Sequence, residues 1–198
     1  YETDNDLSVA ESLAKEALEL QRKQDNATGF VTALRLLTDI EMRRGQLEKA
    51  EAYNQEALTH SSRINNLSEK GSVNYQRIVL LSIRKEYDKA EALAKETIAL
   101  FRRQGNRRYE AMTLNELSIN DFELKRYDQA RQLTEQILAI YRELEERLGY
   151  GYALRHLGDI LMKQNEPEKA QQAWQEAAQI GYHIGNQNLI QQMQERLQ

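Results

Sequence analysis

The stretch Leu47-Glu-Lys-Ala50, followed seven residues on by Ala57, decides the fold because it returns. The same register holds Tyr87-Asp-Lys-Ala90 with Thr97, Tyr127-Asp-Gln-Ala130 with Ile137, and Pro167-Glu-Lys-Ala170 with Ala177. Upstream, Leu7-Ser-Val-Ala10 is followed by Ala17. The marker alanines Ala10, Ala50, Ala90, Ala130 and Ala170 are therefore 40 residues apart. A fixed period of this size is the signature of stacked repeats, in which each unit buries its apolar face on its neighbours. Such a chain works with an extended surface, not with a cleft holding a catalytic cluster.

Working outward, each unit divides into two helical patterns. Between Thr28 and Leu67, a first-type helix carries Ala33, Leu34, Leu37 and Ile40 at spacings of three and four. Gly45-Gln46 breaks the pattern, and a second-type helix carries Leu47, Ala50, Tyr53, Ala57 and Leu58. Acids open the second-type helices at Glu48, Asp88, Asp128 and Glu168. Cations close them at Lys23, Arg63, Arg103 and His183, with Glu143 as the exception. Both biases suit one helix dipole direction. The asparagine-bearing pairs that follow, ending at Asn26, Asn66, Asn106 and Asn186, read as helix C-termini. Glu145-Glu146 replaces them in the fourth unit and suggests a more continuous turn there.

These boundaries give ten helices: second-type near 7–24, 47–64, 87–104, 127–144 and 167–184, and first-type near 28–43, 68–84, 108–124 and 148–164, with a last helix near 187–197. The expected fold is all-α, an α-solenoid of about five stacked antiparallel helix pairs, forming a single domain over 1–198 that is a piece of a longer protein. Residues 187–198 read as a C-terminal cap, with Leu189, Ile190, Met193 and Leu197 on one side and glutamines on the other. The first helix has no preceding mate, so its apolar residues are expected to be partly uncovered and to offer a route to self-association. In the second full unit Asn74 and Arg77 stand where leucines stand elsewhere. A shift by one residue that buries Ile78 and Leu81 is the favoured explanation, and a functional polar pair the alternative.

With the register set, the pattern resembles the tetratricopeptide repeat. Ala153-Leu-Arg-His-Leu157-Gly158-Asp-Ile160, then Glu168-Lys-Ala170, then Ala177, matches that family's first helix with its Leu-Gly pair and its second helix with two small residues. The period of 40 is similar to the longer-helix variants of kinesin light chain and bacterial regulators. The resemblance implies a right-handed superhelix whose first-type helices line a concave face that receives peptides or protein surfaces. Carried over by register, that face presents Arg35, Tyr75, Asn115 and Arg155 in one row, Asp39 and Asp159 in the next, and Phe122 and Met162 beyond, with Tyr152 one turn before. Arginine forks suit carboxylates and amides suit peptide backbone, while Phe122 and Met162 suit apolar side chains. Arg35 with Asp39, and Arg155 with Asp159, are also i,i+4 pairs able to satisfy each other. The resemblance further implies a protein-binding scaffold or, as the alternative, a sensory segment of a bacterial signalling protein that binds a signal peptide or small effector.

Composition narrows the classes further. The chain has 198 residues, a net charge of −4, no cysteine, one proline and nine glycines. Scarce breakers favour long helices, and the modest charge gives no general drive toward nucleic acid. Disulfides and thiolate metal sites are excluded. No apolar run reaches the roughly 20 residues of a membrane span. His60, His156 and His183 are scattered without metal-ligand spacing, so neither metal nor cofactor is expected. His60 reads as a packed histidine, His156 lies beside the concave face, and Trp174 reads as packing. Arg102, Arg103, Arg107 and Arg108 either cap a helix end or meet an acidic partner. No convergent polar set suggests an enzyme, and the chain is expected in the cytoplasm.

Overall fold

A computed structural model describes residues 4–64 and 66–198, with side chains from Asp6 onward. Tyr1 to Thr3 and Asn65 therefore lie outside the described residues. Among the described residues there are ten α-helices: α1 (Asp4–Lys23), α2 (Ala27–Arg43), α3 (Leu47–Ser61), α4 (Leu67–Ile83), α5 (Tyr87–Arg103), α6 (Arg107–Glu123), α7 (Tyr127–Glu143), α8 (Arg147–Lys163), α9 (Pro167–Ile184) and α10 (Gln187–Leu197). The fold is all-α and built from helical hairpins, as the period requires. The chain divides into two compact units, Tyr1–Gln104 and Gly105–Gln198.

In the first unit α1 packs on α2, α2 on α3, α3 on α4 and α4 on α5, and the two first-type helices α2 and α4 also touch. In the second unit α6 packs on α7, α7 on α8, α8 on α9 and α9 on α10, and α10, in the first-type place, also touches α8. Ala50, Ala90, Ala130 and Ala170 are fully buried, as are Ala57 and Ala177. Small side chains at these places let the helices of a hairpin approach closely. At the start of the first unit the matching Ala10 and Ala17 are only half-buried, and larger apolar side chains nearby are open. Val9 is 55%, Leu13 61% and Leu36 50% exposed. Leu13 and Leu36 border a groove of about 440 Å³ between α1 and α2.

The turns repeat every 20 residues. Gly45, Gly105 and Gly185 have positive φ, and so do Asp25, Lys85, Lys125, Glu145 and Asn165. Each closes a helix with a left-handed residue. At Gly45 the pattern is complete: Gly45 N donates to Met42 O and Gln46 N to Glu41 O. Glu145 follows the same rule, with φ 54° and Glu146 N donating to Tyr141 O, so the fourth turn is as sharp as the others and not more continuous.

The turn asparagines also need correcting. They open the next helix instead of closing the last one. Asn26 accepts from Gly29 N, Asn66 from Ser68 N and Glu69 N, Asn106 from Tyr109 N and Asn186 from Leu189 N. Glu146 does the same for Gly149 N, which is why an acid can replace asparagine there. Helix α3 ends at Ser61, short of the expected 64. Ser61 and Ser62 hydroxyls bond back to Leu58 O and Thr59 O, competing with the helical pattern.

The irregular unit keeps its backbone in step. α2, α4 and α6 begin at 27, 67 and 107, so the helix itself is not displaced. The shift is confined to side chains: Ile78 and Leu81 are buried, as expected, and so is Gln76. Arg77 turns to Glu51 of α3, 2.6 Å away. Ile78 occupies the register of Thr38, Ser118 and Gly158, opposite a register held by Asn54, Ala94, Thr134 and Trp174. Size is traded across this position. Bulky Ile78 matches small Ala94, whereas Gly158 admits Trp174, whose Nε1 would lie 2.3 Å from any Cβ there. Trp174 is thus a packing residue, and its indole donates to Arg155 O at 3.2 Å.

Candidate functional site

Each unit sets its first-type helices side by side, so the same register places recur along one face of the unit. On α8, Tyr152, Arg155, Asp159 and Met162 follow at spacings of three, four and three, which puts them on one side of the helix. Arg35 and Asp39 hold the same places on α2.

In the first unit these charges are engaged by the next helix. Arg35 Nη1 donates to Glu69 Oε2 at 3.0 Å, and Thr32 Oγ1 donates to Glu69 Oε1 at 3.2 Å. Gln76 Nε2 reaches Asp39 Oδ1 at 2.6 Å and Arg35 O at 2.8 Å. Burial raises the Asp39 carboxyl above the usual carboxylate range, although the Gln76 amide and the Arg35 charge pull it down. Tyr75 is half-buried on α4.

The second unit gathers Asn115 and Phe122 on α6 and the four residues of α8. Asp159 is clasped by both ends of the Arg196 guanidinium from α10, at 2.7 and 3.0 Å. Arg155 Nη1 donates to the neutral amide of Gln192 at 3.1 Å, and its guanidinium lies 5.8 Å from the Tyr152 ring centre. Its buried Nε has no acceptor. Tyr152 Oη accepts from Asn188 Nδ2 at 3.5 Å. Met162 is 42% exposed. The Phe122 ring centre lies 5.5 Å from that of Tyr127 and 5.6 Å from that of His156. The ion pairs described here run from helix to helix, while within each helix the Arg35 charge acts on Asp39 and the Asp159 charge on Arg155.

His156 does not lie on that face. It is buried, with Nε2 3.0 Å from Ser118 Oγ, which itself lies 2.8 Å from Thr134 Oγ1. Burial pushes its imidazole down to about 4, with the Arg155 charge adding to the effect. It is a neutral polar link between α6 and α8, a role the sequence reading missed. Glu69, Gln76, Gln192 and Arg196 were missed as well. Three of them share one offset, seen once the helices are packed: Asp39 with Gln76, Arg155 with Gln192, and Asp159 with Arg196 are each 37 residues apart, three short of the repeat.

Other candidates resolve into structure. His60 packs edge-on against Phe30 with ring centres 4.7 Å apart, and His183 Nδ1 lies 2.9 Å from Gln179 O. Arg107 pairs with Glu110 and, at 2.9 Å, with Glu143. A groove of about 630 Å³ between α7, α8 and α9 includes Tyr141, Arg142, Glu146 and Tyr150. Three of these are already used, since Arg142 donates to Tyr150 Oη at 2.8 Å and Glu146 caps α8. Among the described residues no group of three His, Asp or Glu side chains is placed to hold a metal ion. No described helix is long and apolar enough to cross a membrane.

The sequence pattern of the tetratricopeptide repeat family matches residues 70–143 and again 109–182, together more than half of the chain. No curated protein matches the chain in sequence. Among solved structures, BtubC (BKLC) from P. vanneervenii is similar over 94% of this chain and 80% of its own, with a TM-score of 0.78 at 17% identity. The STAND protein PH0952 from Pyrococcus horikoshii, which has a tetratricopeptide repeat sensor, matches over 90% of this chain and 28% of its own, with a TM-score of 0.74 at 18% identity. A Rap protein complexed with Competence and Sporulation Factor matches over 84% of this chain and 46% of its own, with a TM-score of 0.73 at 14% identity. At these identities the likeness is one of fold.

Proposed function

The chain belongs to the tetratricopeptide repeat family, and from that premise we propose that it is a non-enzymatic, cytoplasmic interaction module that receives a peptide or protein on the faces of its first-type helices. The observation that carries this reading is the unspent chemistry of the second unit's face. Met162 stands exposed, Tyr152 and Phe122 are half-exposed, and Arg155 keeps a donor without an acceptor. Apolar anchors beside unspent polar groups are what an extended or helical peptide uses for affinity and orientation. The Rap structure, a similar fold captured with Competence and Sporulation Factor, supports a role in holding a partner.

The test is the double variant Asn115→Ala with Arg155→Ala. Peptides selected from a random library on the unaltered protein should bind it at least tenfold more weakly, with the helical circular dichroism preserved. Undiminished binding would show that the partner sits elsewhere. A second reading, a sensory segment of a signalling protein, draws on the Pyrococcus protein, whose tetratricopeptide repeat is a sensor. It predicts that a bound peptide changes the scattering profile of the chain, whereas a passive scaffold keeps it.

A further inference from the structure

Resting on the reading above, we infer that Arg155 is the recognition point for a carboxylate, supplied by an acidic side chain of the partner peptide. The geometry differs between the two units. Arg35 has a carboxylate of its own, Glu69 at 3.0 Å. At the matching place in the second unit, Arg155 faces the neutral Gln192 amide. Its i+4 neighbour Asp159 is held by both Nε and Nη2 of Arg196. Two guanidiniums thus share one carboxylate, and the group of Arg155, Asp159 and Arg196 carries one net positive charge. Arg155 is half-buried and, as at Arg35, its Nε is removed from water without an acceptor, so the carboxylate partner is what separates the two places. A partly desolvated guanidinium that shares one carboxylate with a second guanidinium is costly, and a ligand carboxylate relieves that cost by accepting from its planar donor fork.

The surroundings select the kind of anion. A single net charge is balanced by one carboxylate, and the nearby Asp159 opposes the second charge of a phosphate dianion. Tyr152 and the exposed Met162 lie on the same side of α8. They offer apolar cover to the residues flanking an acidic side chain, which favours a peptide over a small free acid. A guanidinium lying against a tyrosine ring is already oriented, so less freedom is lost on binding.

The experiment is selection of a phage-displayed random dodecapeptide library on the full chain, repeated on Arg155→Gln, Arg155→Lys and Arg155→Glu, each checked for helical circular dichroism. On the unaltered protein, selected peptides should share one Asp or Glu position. Changing that residue to Asn or Gln should weaken binding at least tenfold, and phosphoserine there should not improve on it. Arg155→Gln should remove the acidic preference, Arg155→Lys should weaken it, and Arg155→Glu should replace it with Lys or Arg. Peptides that lose binding on Met162→Glu yet show no acidic position would overturn the carboxylate while leaving the peptide-binding face intact. Tighter binding of the phosphoserine peptide would overturn it in favour of phosphate. Failure to select any peptide that depends on Met162 or Asn115 would overturn both this inference and the proposed function.

Discussion

Gly158 shows how much one residue decides. In an exposed helix, replacing glycine by alanine gains about 1 kcal/mol. Here a Cβ would meet the Trp174 ring at 2.3 to 2.8 Å. A buried indole held by its bond to Arg155 O has little room to yield. Gly158→Ala should therefore destabilise the fold by about 1–3 kcal/mol, the range for an overpacked core. Chemical denaturation measures this directly, and a gain in stability would contradict the size trade. The buried His156 and the half-buried Glu116 make a second residue-scale prediction. His156 falls from 6.5 to about 4 on folding, and burial pushes Glu116 from 4.5 up to about 7. The depressed histidine contributes stability that is complete above 6.5 and is lost as pH falls toward 4. The raised glutamate contributes stability that is complete below 4.5 and is lost as pH rises through 7. The two oppose each other between 4.5 and 6.5. Relative to the unaltered protein, Glu116→Gln should make stability rise with pH across that window, and His156→Gln should make it fall. Each slope should be up to about 1 kcal/mol per pH unit. Unfolding curves of the two variants with parallel pH dependences would contradict the assignment.

At the scale of elements, the turns hold the clearest reserve of stability. Lys85, Lys125 and Glu145 adopt the left-handed backbone that Gly45, Gly105 and Gly185 adopt at no steric cost. That conformation costs a side-chain-bearing residue about 1–2 kcal/mol, part of which glycine gives back as unfolded-state entropy. Glycine at each of the three places should raise stability by about 0.5–1 kcal/mol, additively, as a higher melting temperature. A lower melting temperature would mean that their side chains contribute more than the backbone strain costs. The helices themselves were readable from the sequence because three independent signals agreed: the period of Ala50 and Ala90, the acids at helix starts, and the cations near helix ends. The turn chemistry was read less well. Asn66 and Asn106 sit between two helices, and composition alone does not say which one they serve. Side-chain acceptance by a following N–H decides it, and that is a matter of backbone geometry. The early end of α3 coincides with two serine hydroxyls bonded back to the last turn, which periodicity does not weigh.

At the scale of the molecule, the repeat announces which helix face is available but not what each place on it does. The α8 row was found from register, since Tyr152, Arg155, Asp159 and Met162 have matching residues in every unit. Their partners were not, because the groups that answer Asp39, Arg155 and Asp159 come from the next first-type helix, 37 residues on. That offset emerges only when neighbouring helices are packed. Two places that look alike in sequence are thereby separated: Arg35 is paired with the Glu69 carboxylate, and Arg155 meets the neutral Gln192 amide. The identity of the partner stays outside the sequence, since rows of this kind are read by shape and charge and suit many peptides. The most direct test is a crystal structure of the protein with a library-selected peptide bound. The peptide should lie along the first-type helices of the second unit, within contact distance of Tyr152, Arg155 and Met162. A peptide seated on the second-type helices or in the open groove between α1 and α2, with that face bare, would contradict the account.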